Sequence, residues 1–398
     1  VSDVVSDGTP LSGGRDLEVH VNAVGAVMGG AARHLGPFLT ALAERRPRWE
    51  LVAWVSQDID ELIVPSGVQV RTVPRVGPAR RVWWESVTLP RVLRAEGADV
   101  LVNLTNSGPL RRSVPSVLYQ RNPIWFDPTW VRRHGPGRFR FEAALRRWLA
   151  YAQMRVACAV VVPSRAMATY LGSWRGMTPE VRSRLVAVPH AVDPVEFPFA
   201  ERAWPPAQPL RLLSVSHGAP HKNQELLPAL LRVLADRGVD ATLDLTVAPQ
   251  DAPAYVERVR RLAVACGVED RFRLLGRVRE VRDLYATADL MVLPSFTESF
   301  GFPVVEAMAS GLPVVASAIG SSIELLGDHG WFFPPDDLQA AADAVMAALA
   351  TPPGRMAASL EAASGVARGL SWRANADALA GIIERCAAGR RTPRASRR

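Results

Sequence analysis

Residues 290–320 read LMVLPSFTESFGFPVVEAMASGLPVVASAIG. The apolar run Leu290–Leu293 stops at Pro294, a loop spans Ser295–Gly301, and Pro303 opens a helix that Gly311 closes. Proline costs nothing in a first helical turn, whose amides have no partner inside the helix, and glycine suits the far end. Val314–Ala316 then resumes an extended run. Strand, loop, helix and strand in that order are the repeating unit of a parallel α/β sheet. Glu298 stands in the loop ahead of the helix and Glu306 about one turn inside it, so both carboxylates can face the same end of the strand. The amides of Phe300, Gly301 and Phe302 open the same helix, and a helix start favours an anionic or hydroxyl-rich ligand. Taken alone, two glutamates at this spacing serve equally well as helix caps.

The same alternation extends through the chain. Short runs rich in branched residues at 17–23, 51–55, 68–73, 99–103, 116–120, 158–163 and 185–189 form a first set of strands. Pro194–Pro209 holds five prolines in sixteen residues and reads as a linker. Beyond it, 210–216, 241–247, 272–275, 290–294 and 314–316 form a second set. The expectation is an α/β protein of two doubly wound, Rossmann-type domains facing across a cleft, with ligands at the carboxyl ends of the strands. The boundaries expected are 1–197 for the first domain, 198–209 for the linker, 210–370 for the second domain and 389–398 for a basic tail.

Composition limits the classes of function. At 398 residues, 48% hydrophobic and 22% charged, the chain has material for two cores. No apolar run reaches the roughly 18–20 residues that span a bilayer, and Val1–Arg15 is polar rather than a signal sequence, so a cytoplasmic location is expected. Cys158, Cys266 and Cys386 lie far apart in sequence and have neither disulfide-framework nor zinc spacing. The net charge of +8 draws heavily on the tail arginines 390, 391, 394, 397 and 398, which argues against a nucleic-acid partner. Arg132, Arg133, Arg146 and Arg147 could attract an anionic acceptor or a membrane surface, giving peripheral contact at the inner membrane face. Lys222 is the only lysine among 47 basic residues, which fits a site that needs a compact point charge on phosphate. Asp58-Ile59-Asp60 has the form of a metal-binding acidic triplet but reads as an acidic turn, and no metal ligand set is expected.

The segments FRLLGRV (272–278), LYATADLMVLPS (284–295), ESFGFPVVEAMASGLPVVAS (298–317) and FFPPDD (332–337) resemble the donor-binding half of the retaining glycosyltransferases of family GT4, which have the GT-B fold. The resemblance implies that Glu298, first of the E-x7-E pair, approaches the transferred sugar and that Glu306 binds the ribose of the nucleotide. LLSVSHGAPHKNQ (212–224) resembles the family's diphosphate loop, with Lys222 at the lysine position. The family's arginine is missing there, and His217 or Ser216 stands in its place. Arg277 matches a position beside the base, and Gly29 and Gly30 match a glycine pair whose amides approach the diphosphate. AVVVPS (159–164) and VPHAVDPVEF (188–197) resemble the end of the family's first domain, placing Ser164 and His190 near the cleft. The family's WR-type ending implies that the last helix, about 371–388, crosses back onto the first domain.

On the acceptor side the sequence departs from the family pattern. Arg121 and Asn122 stand where relatives carry a histidine, and become the candidates for contact with donor sugar or acceptor. Asn103, Thr105 and Asn106 are alternatives, and each equally suits a turn. Of seven histidines, His190, His217 and His221 fall in loops expected to reach the cleft.

The implied reaction moves a hexose from a nucleoside-diphosphate sugar, GDP- or UDP-linked, to an acceptor hydroxyl with retention and without metal. Lys222 and backbone amides neutralise the leaving diphosphate, and a phosphate oxygen takes the acceptor's proton. The acceptor could be a glycan, a lipid-linked sugar or a small molecule, in bacterial polysaccharide or natural-product glycosylation. No cofactor is expected. A pyridoxal-phosphate phosphorylase of the same architecture needs a further lysine that the chain lacks. A nucleotide-sugar epimerase and a non-catalytic nucleotide-sugar-binding protein are the remaining alternatives.

Overall fold

The computed structural model describes residues 17–26, 35–59, 62–75, 77–127, 130–131, 137–250 and 252–391. Two parallel sheets organise them. The first has seven strands in the order β3-β2-β1-β4-β5-β6-β7, with β1 Glu18–Asn22, β2 Glu50–Ser56, β3 Val68–Val73, β4 Val100–Asn103, β5 Ser116–Tyr119, β6 Ala159–Val162 and β7 Leu185–Ala187. The second has six in the order β10-β9-β8-β11-β12-β13, with β8 Leu210–Ser214, β9 Ala241–Leu245, β10 Phe272–Leu274, β11 Leu290–Leu293, β12 Val314–Ser317 and β13 Trp331–Phe333. Central strands such as LMVL, VVAS and AVVV are buried at every position, as expected of parallel strands covered on both faces. The edge strand β3 is instead mostly exposed or half-buried, with only Val73 buried.

Twelve of these strands fall where the sequence pattern puts them, and β13 is the addition. It has three residues, too few to carry a period, and its register on β12, Val315 with Trp331 through Ser317 with Phe333, comes from tertiary pairing. In each sheet the chain order reverses direction once, between β1 and β4 and between β8 and β11. Such a reversal splays the two following loops apart at the carboxyl ends and leaves a crevice between them.

The chain divides into two compact units. One comprises residues 1–119, 156–158 and 380–398, and the other residues 120–155 and 159–379. Within the first, Arg46, just after the helix Leu35–Arg45, pairs with Glu384 of the helix Trp372–Arg391 at 2.8 Å. Its Cys386 thiol is pushed up by a hydrogen bond to Cys158 and by burial, so two cysteines 228 positions apart in sequence meet. No helix among the described residues is long and apolar enough to cross a membrane.

The proline-rich segment before β8 is docked, not loose. Arg202 donates from Nε to the Gly311 carbonyl at 2.7 Å and from Nη2 to the Tyr285 carbonyl at 2.6 Å, and it also reaches the Ala288 carbonyl. These oxygens lie at or just beyond the ends of the helices Arg282–Thr287 and Phe302–Ala309, where carbonyls lack partners inside the helix. Gly311 is required beside them, since its φ is +68° and a Cβ would stand 2.7 Å from the Phe199 ring. Burial lowers the Arg202 guanidinium to about 10, still charged at neutral pH. Arg202→Ala should reduce unfolding free energy by about 2–3 kcal/mol through lost charge-assisted bonds. Urea denaturation with an unchanged slope checks this, and a loss within error would mean the segment rests on apolar contact alone.

Candidate active site

The loops after β8 and β11 face each other because these strands are neighbours, with Leu290 beside Leu212 and Met291 beside Leu213. After β8 the chain runs through His217 to a single 3₁₀ turn, Pro220–Lys222, rather than directly into a helix. Asn223 ends that turn in the left-handed region at φ +53° and donates its amide to the Pro335 carbonyl at 2.9 Å. Asparagine tolerates this conformation better than most residues. Fully buried Gln224 fixes the approach to the turn, with Nε2 donating to Ser216 Oγ at 2.7 Å and to the His217 carbonyl at 2.8 Å.

Lys222 Nζ lies 2.6 Å from Glu298 Oε1, across from one loop to the other. Both side chains are about one-tenth exposed, at 11% and 10%. Ser295 Oγ donates to the same carboxylate oxygen at 2.8 Å. Burial pushes the Glu298 carboxyl up, but the Lys222 ammonium, His221 and the Ser295 hydroxyl outweigh it and hold the group below its ordinary value. His221 closes the cluster. Its carbonyl accepts from Phe296 N at 2.8 Å, its ring lies 5.6 Å from His217, and Trp130 meets it edge-on at 6.2 Å. Burial, the neighbouring Lys222 charge and His217 lower the imidazole to about 3 against the pull of Glu298, so the ring is neutral.

Glu306 sits in the first turns of the helix Phe302–Ala309 and is buried. The hydroxyl of fully buried Tyr285 donates to its Oε2 at 2.7 Å. Gly301 begins that helix at φ +105°, a conformation open to glycine and costly to other residues. Phe300 and Phe302 flank it, and the His190 ring stacks on Phe302 at 4.9 Å and meets Phe300 edge-on at 5.3 Å. Ser164 caps the helix Arg165–Gly172 by accepting from Met167 N, and its hydroxyl donates to the Ser299 carbonyl at 2.8 Å. Ser164 and His190 therefore both brace the Glu298 loop.

Other expected residues lie apart or are differently employed. Asn122 accepts from Ile124 N at 3.0 Å through Oδ1, closing a local turn. Its segment reaches the cluster through Trp130, which packs with Phe296. Exposed Arg277 follows β10, which lies three strands from β11, about 14 Å at ordinary strand spacing. Gly29 and Gly30 lie outside the described residues, as do Asp60, Arg132 and Arg133.

Tyr285, Gln224 and Arg202 had no role in the sequence reading. Tyr285 carried one signal, its place in LYATADL beside the glutamate motif.

Among the described residues, Glu18, His20 and Glu96 are a group whose ligand atoms lie within 4.8 Å of one another. Trp54 Nε1 donates to His20 Nδ1 at 3.0 Å, so the proton of a neutral ring sits on Nε2, which faces Glu18 Oε1 at 2.9 Å. That nitrogen is a donor and has no lone pair for a metal.

Residues 210–351 match the family model described as glycosyl transferases group 1, and residues 28–196 match glycosyltransferase family 4. The chain is 31% identical over 135 residues to the lipopolysaccharide core biosynthesis mannosyltransferase LpsB of Rhizobium meliloti, covering 33% of this chain and 38% of that one. It is 37% identical over 131 residues to a D-inositol 3-phosphate glycosyltransferase of Xylanimonas cellulosilytica, covering 32% and 31%. These matches span about a third of the relatives' own length. In fold, sucrose-phosphate synthase of Thermosynechococcus elongatus is similar with a TM-score of 0.73 at 18% identity, over 94% of this chain and 100% of that one. Anabaena HepE in complex with UDP and glucose gives 0.68 at 19%, over 92% and 99%. The chain belongs to the group 1, family 4 glycosyltransferases and has a GT-B type fold.

The neutral His221 has a consequence for stability. Its folded value of about 3 lies below the ordinary 6.5, so the unfolded chain takes up the proton first and stability falls as pH drops between these values. His221→Gln should remove about 1–2 kcal/mol of the difference in unfolding free energy between pH 7 and pH 5. Urea titrations of both proteins at the two pH values read this directly, and parallel pH profiles would contradict it.

Proposed function

We propose that the protein transfers a hexose from a nucleoside-diphosphate sugar, GDP- or UDP-linked, to an acceptor hydroxyl with retention of configuration. The observation that carries the reading is the Lys222–Glu298 pair at the β8/β11 reversal, with Glu306 held by Tyr285 on the following helix. In this reading the donor's diphosphate replaces Glu298 as the partner of Lys222. The released carboxylate then accepts hydroxyls of the sugar, each charge-assisted bond contributing roughly 1.5–3 kcal/mol. Glu306 takes the ribose hydroxyls, and the base extends toward Arg277. His217, which stands where the family's arginine is missing, and neutral His221, whose ring lies 5.6 Å from it, donate to phosphate oxygens. The helix start at Phe300, Gly301 and Phe302 adds amide dipoles, as would Gly29 and Gly30.

A phosphate oxygen of the leaving group takes the acceptor proton, so the reaction needs neither a separate base nor a metal. The acceptor is a bacterial glycan, lipid-linked sugar or small molecule, approached from Arg121 and Asn122. Residues 1–197, with the last helix at about 371–388, form the acceptor half and 210–370 the donor half, and the enzyme is cytoplasmic with peripheral contact at the inner face of a membrane.

The test combines calorimetry with UDP and GDP and turnover on their hexose derivatives. Glu306→Ala should weaken nucleotide binding at least tenfold. Glu298→Ala should lower kcat at least a hundredfold, and Lys222→Ala should abolish transfer. Tyr285→Phe should raise the donor KM severalfold with kcat little changed. Equal losses of binding and turnover in both glutamate variants would reject the division of roles. Isomerised sugar nucleotide formed without acceptor would favour an epimerase, and binding without any turnover a non-catalytic protein.

A further inference from the structure

The helix Gly137–Val156 carries apolar residues on two opposite sides. Ala143, Ala150 and Met154 are buried and face the protein. Phe141, Leu145 and Trp148, at 73%, 52% and 62% exposure, share the other face at i, i+4 and i+7. At 100° per residue these three fall within about 60° of arc, roughly 180° round from the buried set. A helix that only has to cover a core places polar residues there.

The surroundings of the stripe are basic. Exposed Arg138 borders one side, with Arg140 and Arg155 on the other. Residues 130–156 hold seven arginines against one glutamate, a local excess of six in a chain whose total is +8. That glutamate, Glu142, is itself paired with Arg146, and the Arg146 guanidinium lies over the Trp125 ring at 4.9 Å. The helix is thereby fastened to the segment that follows β5 while its outer face stays turned to solvent.

We propose that this face is the protein's attachment site for an anionic lipid bilayer, deepening the membrane location proposed above. Phe141, Leu145 and Trp148 enter the headgroup and upper acyl region, where an aromatic and aliphatic stripe gains most, and the bordering arginines meet lipid phosphates. Self-association through the same face would set Arg138, Arg140 and Arg155 against their own copies. A nucleic acid would satisfy the arginines but leave Leu145 and Phe141 without an apolar partner. The bilayer answers both features.

The full chain is sedimented with vesicles of phosphatidylcholine alone and of phosphatidylcholine with 30% phosphatidylglycerol. Binding should be at least tenfold stronger to the anionic vesicles and weaken as salt rises. The variant Phe141→Ser, Leu145→Ser, Trp148→Ser should lose at least tenfold, with circular dichroism unchanged. Should that variant fail to fold, Arg138→Glu with Arg140→Glu takes its place with the same expected loss. No binding of the native chain, or full binding by the folded variants, overturns the proposal. So does a dimer abolished by the triple substitution while vesicle binding is unchanged. Vesicle binding needs no sugar nucleotide, so its outcome and that of the transfer assay are read separately.

Discussion

The ion pair between Lys222 and Glu298 depends on the strand order. β8 is the first strand of its sheet, β9 and β10 extend one way, and β11 to β13 extend the other. Only this reversal lets the loops after β8 and β11 face each other, and each contributes one charge. Burying two opposite charges costs several kcal/mol of desolvation per ion, which mutual attraction and further hydrogen bonds must offset. Ser295 supplies such a bond to Glu298, and the Ser295 carbonyl is held by Ser317 at the end of β12. A pair held this way is a poor source of stability. In the proposed reaction it exchanges partners, a diphosphate for one member and sugar hydroxyls for the other.

The surrounding structure fixes both sides of the pair. Gln224 and Asn223 fix the lysine side, and Ser164, His190 and the glycine at 301 fix the glutamate side. Arg202 satisfies the carbonyl ends of the Tyr285 and Glu306 helices, so the support extends from the proline-rich segment to the carboxylate that Tyr285 holds. Neutral His221 lies beside Lys222 without adding a second positive charge to the pair.

Much of this was legible in the sequence. Glu298, Glu306 and Lys222 stood out because their elements have local signals: Pro303 and Gly311 bracket one helix, and a lone lysine stands out among arginines. Twelve strands were legible because branched residues recur between turn residues. Tyr285, Arg202, Gln224 and the Ser164 brace were not, since their partners lie 21, 83 to 109, 7 to 8 and 135 positions away and only packing joins them. The Cys158–Cys386 approach was hidden for the same reason. Asn122 shows the opposite limit, because a residue able to contact a ligand is equally able to close its own turn, and here Oδ1 does so.

The most direct test is the affinity of UDP and GDP, without sugar, for the native chain, Lys222→Met, Glu298→Gln and the double variant. If Glu298 competes with the diphosphate for Lys222, Glu298→Gln should bind the favoured nucleotide several-fold tighter than the native chain. Lys222→Met should bind it at least tenfold more weakly, and the gain should vanish in the double variant. Weaker or unchanged binding by Glu298→Gln, with additive effects in the double variant, would contradict the exchange of partners.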